Sequence, residues 1–507
     1  MSSFAPSPIQ QQTVQVLGSG SLSWSTQTDP ATYGRQTSIR RPPSGRRLTI
    51  TQLGIDLLGI CVAYSIALEL RVAGHVDFDQ VFSRPVMTFA GINVLCLYFL
   101  DLYRLEPQND AWKKPLQAVA GVLLAGCVIV LYSYLTEHVE YRGGRGVWIG
   151  AQLFLALWAG SSRFFILNWL RRVSARSRWL VLGPSDYLTA FVEQVHESGL
   201  SGYFGLLTPE GAVAKIEIAI KGKYGADSDV TCRRVGTWRD LAHLGRQQWS
   251  GIIVCAGNTL PEALVEILMR MRLGGVRVVD LADFYEDTWT KVPVFYLQKS
   301  WFAMAQGFQL LHNPIGLRVK RIADIFFAGA LMVLTAPLML LAAVAIRLES
   351  PGPVIFAQTR VGAGGRLFTL YKLRSMRLDA ELDGAQWASQ DDARVTRVGA
   401  FLRAMRIDEL PQFFNVLRGD MSFIGARPER PEFTSMLERE IPYYNLRHIL
   451  RPGVTGWAQV MYPYGASLED AREKLQYELY YIKNYSLLLD ATIVLKTVRV
   501  VLFGQGR

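Results

Sequence analysis

Asp408 and Glu409 stand side by side in the run RIDELPQFFNVLRGD, from Arg406 to Asp420. A pair of carboxylates in a solvated turn needs no special setting, but this pair sits among cations. Arg360, Arg366, Lys372, Arg374 and Arg377 precede it, and Arg394, Arg397, Arg403, Arg406, Arg418, Arg427, Arg447 and Arg451 crowd the same region. Arginine presents a planar fork that binds phosphate oxygens in pairs, whereas a surface that only meets anionic lipid is served as well by lysine. The excess of arginine therefore points to a phosphorylated substrate beside two acids.

The elements that carry these residues belong to an apolar, basic chain. Of 507 residues, 50% are hydrophobic and only 19% are charged, yet the net charge is +11. That combination suits a protein on a membrane that handles anions, with two or three domains. The cysteines Cys61, Cys96, Cys127, Cys232 and Cys255 show no metal-ligand spacing and read as reduced, inert thiols. Residues 1–47 are rich in Ser, Gln, Thr and Pro, contain no signal-peptide core, and end in Arg40, Arg41, Arg46 and Arg47. They read as a disordered cytoplasmic tail.

Four apolar stretches follow, Ile50–Leu70, Val86–Leu102, Leu116–Leu135 and Val147–Leu170. The second is short; the first carries Asp56 and Glu69, and the fourth Arg163. Together they predict a four-helix transmembrane domain over 48–177. Arginines before the first stretch, and Arg171, Arg172, Arg176 and Arg178 after the fourth, place both ends on the cytoplasmic side.

From Trp179 the pattern changes to strand, Gly183-Pro184 turn and helix. SGIIVCAG and VRVVDLADF read as buried parallel strands around the helix PEALVEILMRMR. This predicts a small Rossmann-like α/β domain over 178–300, followed by a linker over 301–319. The turn has one glycine where a dinucleotide fingerprint needs three, so a structural or regulatory module is favoured over a nucleotide pocket.

A fifth apolar run, Ile325–Ile346, is uncharged and long enough to cross a bilayer. Pro337 lies at its middle, and Lys320, Arg321 and Arg347 flank it. A crossing would carry the arginine-rich region outside, against the positive-inside bias. A re-entrant helix–break–helix, returning to the cytoplasmic face, satisfies both features. The last segment, YSLLLDATIVLKTVRVVLFGQGR, suits either a helix in the membrane interface or a packed core helix.

The stretch from Lys320 to about Leu502 resembles the bacterial sugar transferases, the polyisoprenyl-phosphate hexose-1-phosphate transferases known as monotopic phosphoglycosyl transferases. The matching segments are KRIADI, SPGPVIFAQTRVGAGG, YKLRSM, DELPQFFNVLRGDMSFIGARPERPEF, RPGVTGWAQV and YELYYIKNYSLLLDATIVLKTV. The spans and the Rossmann-like region resemble the N-terminal half of the large members. The resemblance implies a membrane α/β protein whose small α/β catalytic domain, with the re-entrant helix, occupies 320–507. It implies transfer of a hexose 1-phosphate from a UDP-sugar to undecaprenyl phosphate, with release of UMP, as the first step of an exopolysaccharide, capsule or O-antigen repeat unit. Glucose is the first expectation for the sugar and galactose the second.

By the same resemblance Asp408 is the nucleophile on the sugar-bearing phosphorus, and Glu409 holds Mg²⁺ with it or assists proton transfer. The magnesium would neutralise the diphosphate. Lys372, Arg374, Arg427 and Arg451 are the first candidates for substrate contacts, and Gln358, Arg360, Gln412 and Asp420 the second. Where the family has Gly-Pro-Arg-Pro, this chain has Gly425-Ala426-Arg427-Pro428, so a local loosening is expected there. The implied setting is the bacterial inner membrane, multi-pass, with the catalytic domain on the cytoplasmic face. Membrane lipids and a homodimer are implied as partners, and no nucleic acid is. Direct attack by the lipid phosphate, and a non-catalytic scaffold for polysaccharide assembly, are the competing readings.

Overall fold

A computed structural model describes residues 45–72, 83–106, 112–136, 145–209, 232–255 except 246 and 248, 260–310 except 309, 313–380, 392–462, and 465–502 except 466. The N-terminal tail up to residue 44 lies outside them. All four expected apolar stretches are helical: Gly45–Val72, Arg84–Phe99, Lys113–Thr136 and Arg145–Ala175. The first, third and fourth are long and apolar enough to cross a membrane. The 16-residue second helix is about 24 Å long at ~1.5 Å per residue, short of a ~30 Å hydrocarbon core.

These helices share one core, which includes Ile60, Tyr64, Phe89, Leu97, Val122, Trp148 and Leu155. The two charges inside it find each other. Asp56 and Arg163 are fully buried, and the guanidinium grips both carboxylate oxygens, at 3.0 and 2.9 Å. Gln52 donates a further bond to Asp56, and Arg163 Nε donates to the Leu102 carbonyl. A lone charge among apolar helices is costly, so each residue is tolerable only because the other is present. Gln152 Nε2 donates to Asn93 Oδ1 at 3.0 Å in a second buried polar contact.

The middle region is a parallel five-stranded sheet: β1 Arg178–Leu182, β2 Tyr203–Thr208, β3 Cys232–Thr237, β4 Gly251–Val254 and β5 Val278–Asp280, in the order β3-β2-β1-β4-β5. The strands alternate between two cores, with Val181, Phe204 and Ile253 on one face and Leu180, Leu207 and Ile252 on the other. That doubly covered sheet explains the continuous apolar runs in the sequence. In this topology ligands bind where strand order reverses, here between β1 and β4. At that point Gly183 lies against Cys255: a Cβ on the glycine would come within 2.7 Å of the cysteine's. Beside it Tyr296 donates to Asp280 at the end of β5 and packs edge-on against Tyr187, 5.4 Å between centroids. These contacts lie at the switch point among the described residues.

The fifth apolar run departs from expectation in one respect. It is one continuous 36-residue helix, Pro314–Glu349, with Pro337 inside it and no unwound break. The proline removes one hydrogen bond of the ladder, and the turns on either side persist around it. The middle of the helix is bare, with Val333 77% and Leu334 75% exposed. Both end sections pack on the same domain. Ala328 shares a core with Leu370, Phe413, Val416 and Met421. Ala342 and Ile346 share another with Leu373, Leu402 and Ile407. Polar anchors reinforce the first section: Arg321 donates to the Val416 and Leu417 carbonyls, and Asp324 accepts from Ser422 Oγ and Phe423 N. Lys320 pairs with Asp490 at 3.1 Å.

The rest of that domain contains an antiparallel hairpin, β6 Ile355–Val361 with β7 Leu367–Leu373, and a short parallel pair, β8 Ser422–Ile424 with β9 Gly453–Thr455. The final helix, Leu487–Leu502, buries Ile493 beside Ile424, Trp457 and Tyr481, while Leu487 and Leu488 stay exposed. Its Arg499 pairs at 2.6 Å with Asp101, just beyond the second apolar helix. The junction with the Rossmann-like domain is packed: Val292, Val294 and Leu297 share a core with Leu437, Ile441, Leu475 and Leu479. Within the stretch expected as a linker, Lys299–Met304 completes a short helix.

Two outcomes are expected from this architecture. Asp56→Ala leaves Arg163 buried without its partner, which costs about 3–5 kcal/mol. The thermal midpoint of the purified protein should fall sharply, and the double variant Asp56→Leu/Arg163→Leu should recover much of the loss. At the β1–β4 switch point, NAD and NADH should bind no better than about millimolar, given the incomplete fingerprint; a micromolar dissociation constant by calorimetry on the full chain contradicts this.

Candidate functional site

The acidic pair rides on a tight turn between two short helices. Helix Arg397–Ala404 ends, and Arg406 takes a left-handed conformation, φ 57°, that throws the chain into the 3₁₀ turn Ile407–Glu409. Ile407 anchors that turn in the core beneath the long membrane helix. Pro411 then caps helix Gln412–Arg418. The carboxylates are thus presented from a pinned loop, 6% and 9% exposed, in a cleft of about 1450 Å³.

Glu409 Oε1 meets three cations: Arg427 Nη2 at 2.7 Å, Lys372 Nζ at 3.6 Å and Arg406 Nη1 at 3.7 Å. Burial opposes ionisation, but Arg427 and Lys372 hold this carboxyl well below the usual carboxylate range. Asp408 goes the other way. Burial and then the neighbouring Glu409 push it up, against the pull of Lys372, Arg403 and Arg427. Its Oδ1 is buried with no hydrogen-bond partner among the described residues. Burial also brings the Lys372 ammonium down to about 8, opposed by Glu409 and assisted by Arg427. One acid is therefore neutralised by fixed cations, while its neighbour keeps an unengaged oxygen.

The expected site residues separate into two groups. Lys372 and Arg427 stand at the dyad. Gln358 and Arg360, on β6, line the same cleft; Arg360 donates to Gln358 Oε1 at 2.5 Å and to the Pro428 carbonyl at 3.2 Å. Arg374 also borders the cleft, but its guanidinium donates to Ser350 O, Ser350 Oγ and Pro351 O, clasping the loop after the membrane helix. Three others lie outside the lining. Arg451 is exposed, near enough to Arg321 for their charges to repel. Gln412 is buried at the start of its helix. Asp420 accepts from Asn415 and lies 3.5 Å from Arg418 Nε.

Two arginines belong closer to the dyad than those three. Arg403 donates to Ser375 Oγ at 2.9 Å and bears electrostatically on Asp408, and Arg406 reaches Glu409. Their spacing in FLRAMRIDEL, five and two residues before Asp408, was the available signal. Arg447 is buried against Glu478 at 2.8 and 2.7 Å and donates to the Arg427 carbonyl at 2.8 Å. No sequence signal marks Glu478 for that role. The loosening expected at Ala426 is countered by main-chain bonds on both sides: Gly425 N donates to the Thr455 carbonyl, and the Ala426 carbonyl accepts from Gly453 N.

Among the described residues no cluster of three or more His, Cys, Asp or Glu side chains could hold a metal. Mg²⁺ does not require one, since it commonly takes one or two carboxylates and completes its shell with substrate phosphates and water. The unpartnered Oδ1 of Asp408 fits that mode. Glu409, with Arg427 on Oε1, fits through its remaining lone pairs.

A family model described as bacterial sugar transferase matches residues 315–504, which contain the dyad and its cations. The chain is 45% identical over 272 residues to a UDP-N-acetylgalactosamine-undecaprenyl-phosphate N-acetylgalactosaminephosphotransferase of Aeromonas hydrophila, covering 53% of this chain and 63% of that protein. It is 48% identical over 181 residues to a UDP-glucose:undecaprenyl-phosphate glucose-1-phosphate transferase of Caulobacter vibrioides, covering 35% and 68%. It is 40% identical over 188 residues to the exopolysaccharide production protein PSS of Rhizobium leguminosarum bv. phaseoli, covering 36% and 94%.

Lys372 and Arg374, two residues apart, should separate in mutation. Arg374→Ala removes three hydrogen bonds to the loop after the long helix and should lower the thermal midpoint, at about 1 kcal/mol per hydrogen bond. Lys372→Met keeps the apolar stem and should leave that midpoint within a few degrees while depressing turnover at least about tenfold. Calorimetry and a turnover assay on both variants check the contrast.

Proposed function

We propose a reaction from one premise: this chain belongs to the bacterial sugar transferase family. It moves a sugar 1-phosphate from a UDP-sugar to undecaprenyl phosphate at a membrane and releases UMP. The observation that carries this reading is the buried Oδ1 of Asp408, without a partner among the described residues, beside an acid neutralised by fixed cations. A carboxylate attacking a diphosphate meets like charge, and Lys372, Arg403, Arg406 and Arg427 offset it.

In the proposed sequence Asp408 Oδ1 attacks the phosphorus that bears the sugar. The bond from that phosphorus to the bridging oxygen breaks, and UMP leaves with the electron pair. An acyl phosphate now holds the sugar phosphate on Asp408. A phosphate oxygen of undecaprenyl phosphate then attacks the same phosphorus, and the Asp408 carboxylate is released unchanged. Splitting the displacement in two is the advantage of covalent catalysis. Glu409 keeps Arg427 and Lys372 gathered at the dyad and, with Asp408, would hold Mg²⁺. When bound, that ion would neutralise the diphosphate charge.

The membrane arrangement is proposed on the same footing. Both end sections of helix Pro314–Glu349 pack on the catalytic domain, and its bare middle is apolar. This supports a re-entrant helix with both ends on the cytoplasmic face of a bacterial inner membrane, where a soluble nucleotide sugar and a lipid phosphate can meet. The donors to compare first are UDP-glucose, the expectation from sequence, and UDP-N-acetylgalactosamine, the sugar named for the Aeromonas relative. A panel that also includes UDP-galactose, scored by UMP release, identifies the donor.

Wild-type protein given its UDP-sugar without lipid should release up to about one equivalent of UMP and retain the sugar phosphate on Asp408. Asp408→Asn should abolish that release, and Glu409→Gln should slow it severely. Rapid-quench mass spectrometry of the intact protein reads the adduct. UMP that appears only once undecaprenyl phosphate is added, without adduct, favours direct attack by the lipid. For topology, Ser350→Cys should resist an impermeant thiol reagent applied from outside, and its labelling in intact spheroplasts counts against the re-entrant arrangement.

A further inference from the structure

Helix Leu468–Lys483 carries charges on two separate faces. At 3.6 residues per turn, Glu473 and Lys483 lie about 80° apart around its axis, and Glu478 about 140° from each. The first face meets the Rossmann-like domain. Lys291 Nζ donates to both oxygens of Glu473, at 2.8 and 2.9 Å, and to Gln194 at 2.5 Å. Lys483 pairs with Glu286, whose other oxygen accepts from Asn484 at 2.9 Å. The Val292 amide donates to the Gln476 carbonyl at 3.0 Å. Lys291 and Lys483 are only 3% and 8% exposed, so these contacts are shielded from water.

The opposite face meets the catalytic site. Glu478 holds Arg447 through two hydrogen bonds, Tyr444 accepts a third, and the remaining reach of Arg447 goes to the Arg427 carbonyl. Arg427 is the residue whose side chain grips Glu409. A continuous series of direct contacts therefore runs from Glu286 and Lys291 through one rigid helix to the acidic pair. Buried ionic contacts of this kind hold one geometry, because a shifted partner leaves an uncompensated charge.

We propose that the Rossmann-like domain is an internal positioning partner of the catalytic site. Its Lys291 and Glu286 set the helix Leu468–Lys483, and Glu478 and Arg447 carry that setting to the main chain of Arg427. Arg447 and Glu478 are positioning residues in this scheme, and they need touch neither substrate. The proposal rests on the reading of Arg427, Glu409 and Asp408 as the transferase site.

The test uses the full chain in lipid nanodiscs, with Lys291→Glu, Lys291→Met and the charge swap Lys291→Glu/Glu473→Lys. Lys291→Met keeps the apolar stem, so a folding failure of the reversal leaves the test intact. Amide hydrogen exchange is followed over residues 425–430, and UMP release is measured in parallel. Lys291→Glu and Lys291→Met should speed exchange there and lower kcat at least about tenfold, with the UDP-sugar KM within about threefold. The swap should restore most of both. In an Arg427→Lys background the Lys291 substitutions should cost less than about twofold more, because the path already ends in a weakened contact. Unchanged exchange at 425–430, or losses that multiply in full with that of Arg427→Lys, overturns the proposal. A wild type that releases UMP from no UDP-sugar refutes the transferase reading instead, and the exchange measurement still decides the coupling.

Discussion

Everything in the catalytic region depends on how two adjacent acids are kept in a buried turn. Two neighbouring carboxylates out of water cannot both stay charged without nearby cations. Arg427 at 2.7 Å, with Lys372 and Arg406 behind it, neutralises Glu409 and thereby leaves Asp408 unengaged. The pull of Lys372, Arg403 and Arg427 on Asp408 is outweighed by burial together with the neighbouring Glu409 charge. The asymmetry between chemically similar neighbours follows from which one Arg427, Lys372 and Arg406 reach.

The turn that presents the acids is held from the membrane side. Ile407 lies in a core with Ala342 and Ile346 of the long apolar helix, and Phe413 and Val416, on the next helix, lie in a core with Ala328. Both halves of that helix thus seat the loop that carries the dyad. Arg374 closes the same assembly by clasping the Ser350 and Pro351 carbonyls, where the chain leaves the helix. Packing at these contacts fixes the distance between the bare middle of the apolar helix and the acidic pair.

The arginines that first suggested phosphate do several different jobs. Arg427, Arg403 and Arg406 face the dyad. Arg374 grips two backbone carbonyls with its fork, as does Arg321 beside the apolar helix, and Arg447 reaches the Arg427 carbonyl. Arg163 has a third role, pairing with Asp56 inside the helical bundle. Arginine density marked a cation-rich region and was a poor guide to individual positions.

The sequence by itself determined the classes of element and the family to which residues 315–504 belong. Apolar runs of membrane length, a strand–turn–helix pattern from Trp179, and motifs spread over Lys320 to Leu502 are all local or contiguous, so composition and periodicity reveal them. The tertiary structure alone decided who pairs with whom. Asp56 with Arg163, Glu478 with Arg447, and Glu286 with Lys483 lie 107, 31 and 197 residues apart, and no local pattern encodes such choices. The continuity of the long helix through Pro337 belongs with them. Proline's cost is local and argues for a break, whereas the cores that hold Ala328 and Ala342 on either side of it are tertiary. The strands Tyr203–Thr208 and Cys232–Thr237 escaped notice for the same reason. Tyr203–Thr208 is drawn into the sheet by pairing with β1, and Cys232–Thr237 by pairing with β2. In each case the deciding energy comes from residues distant in sequence that folding alone brings into contact.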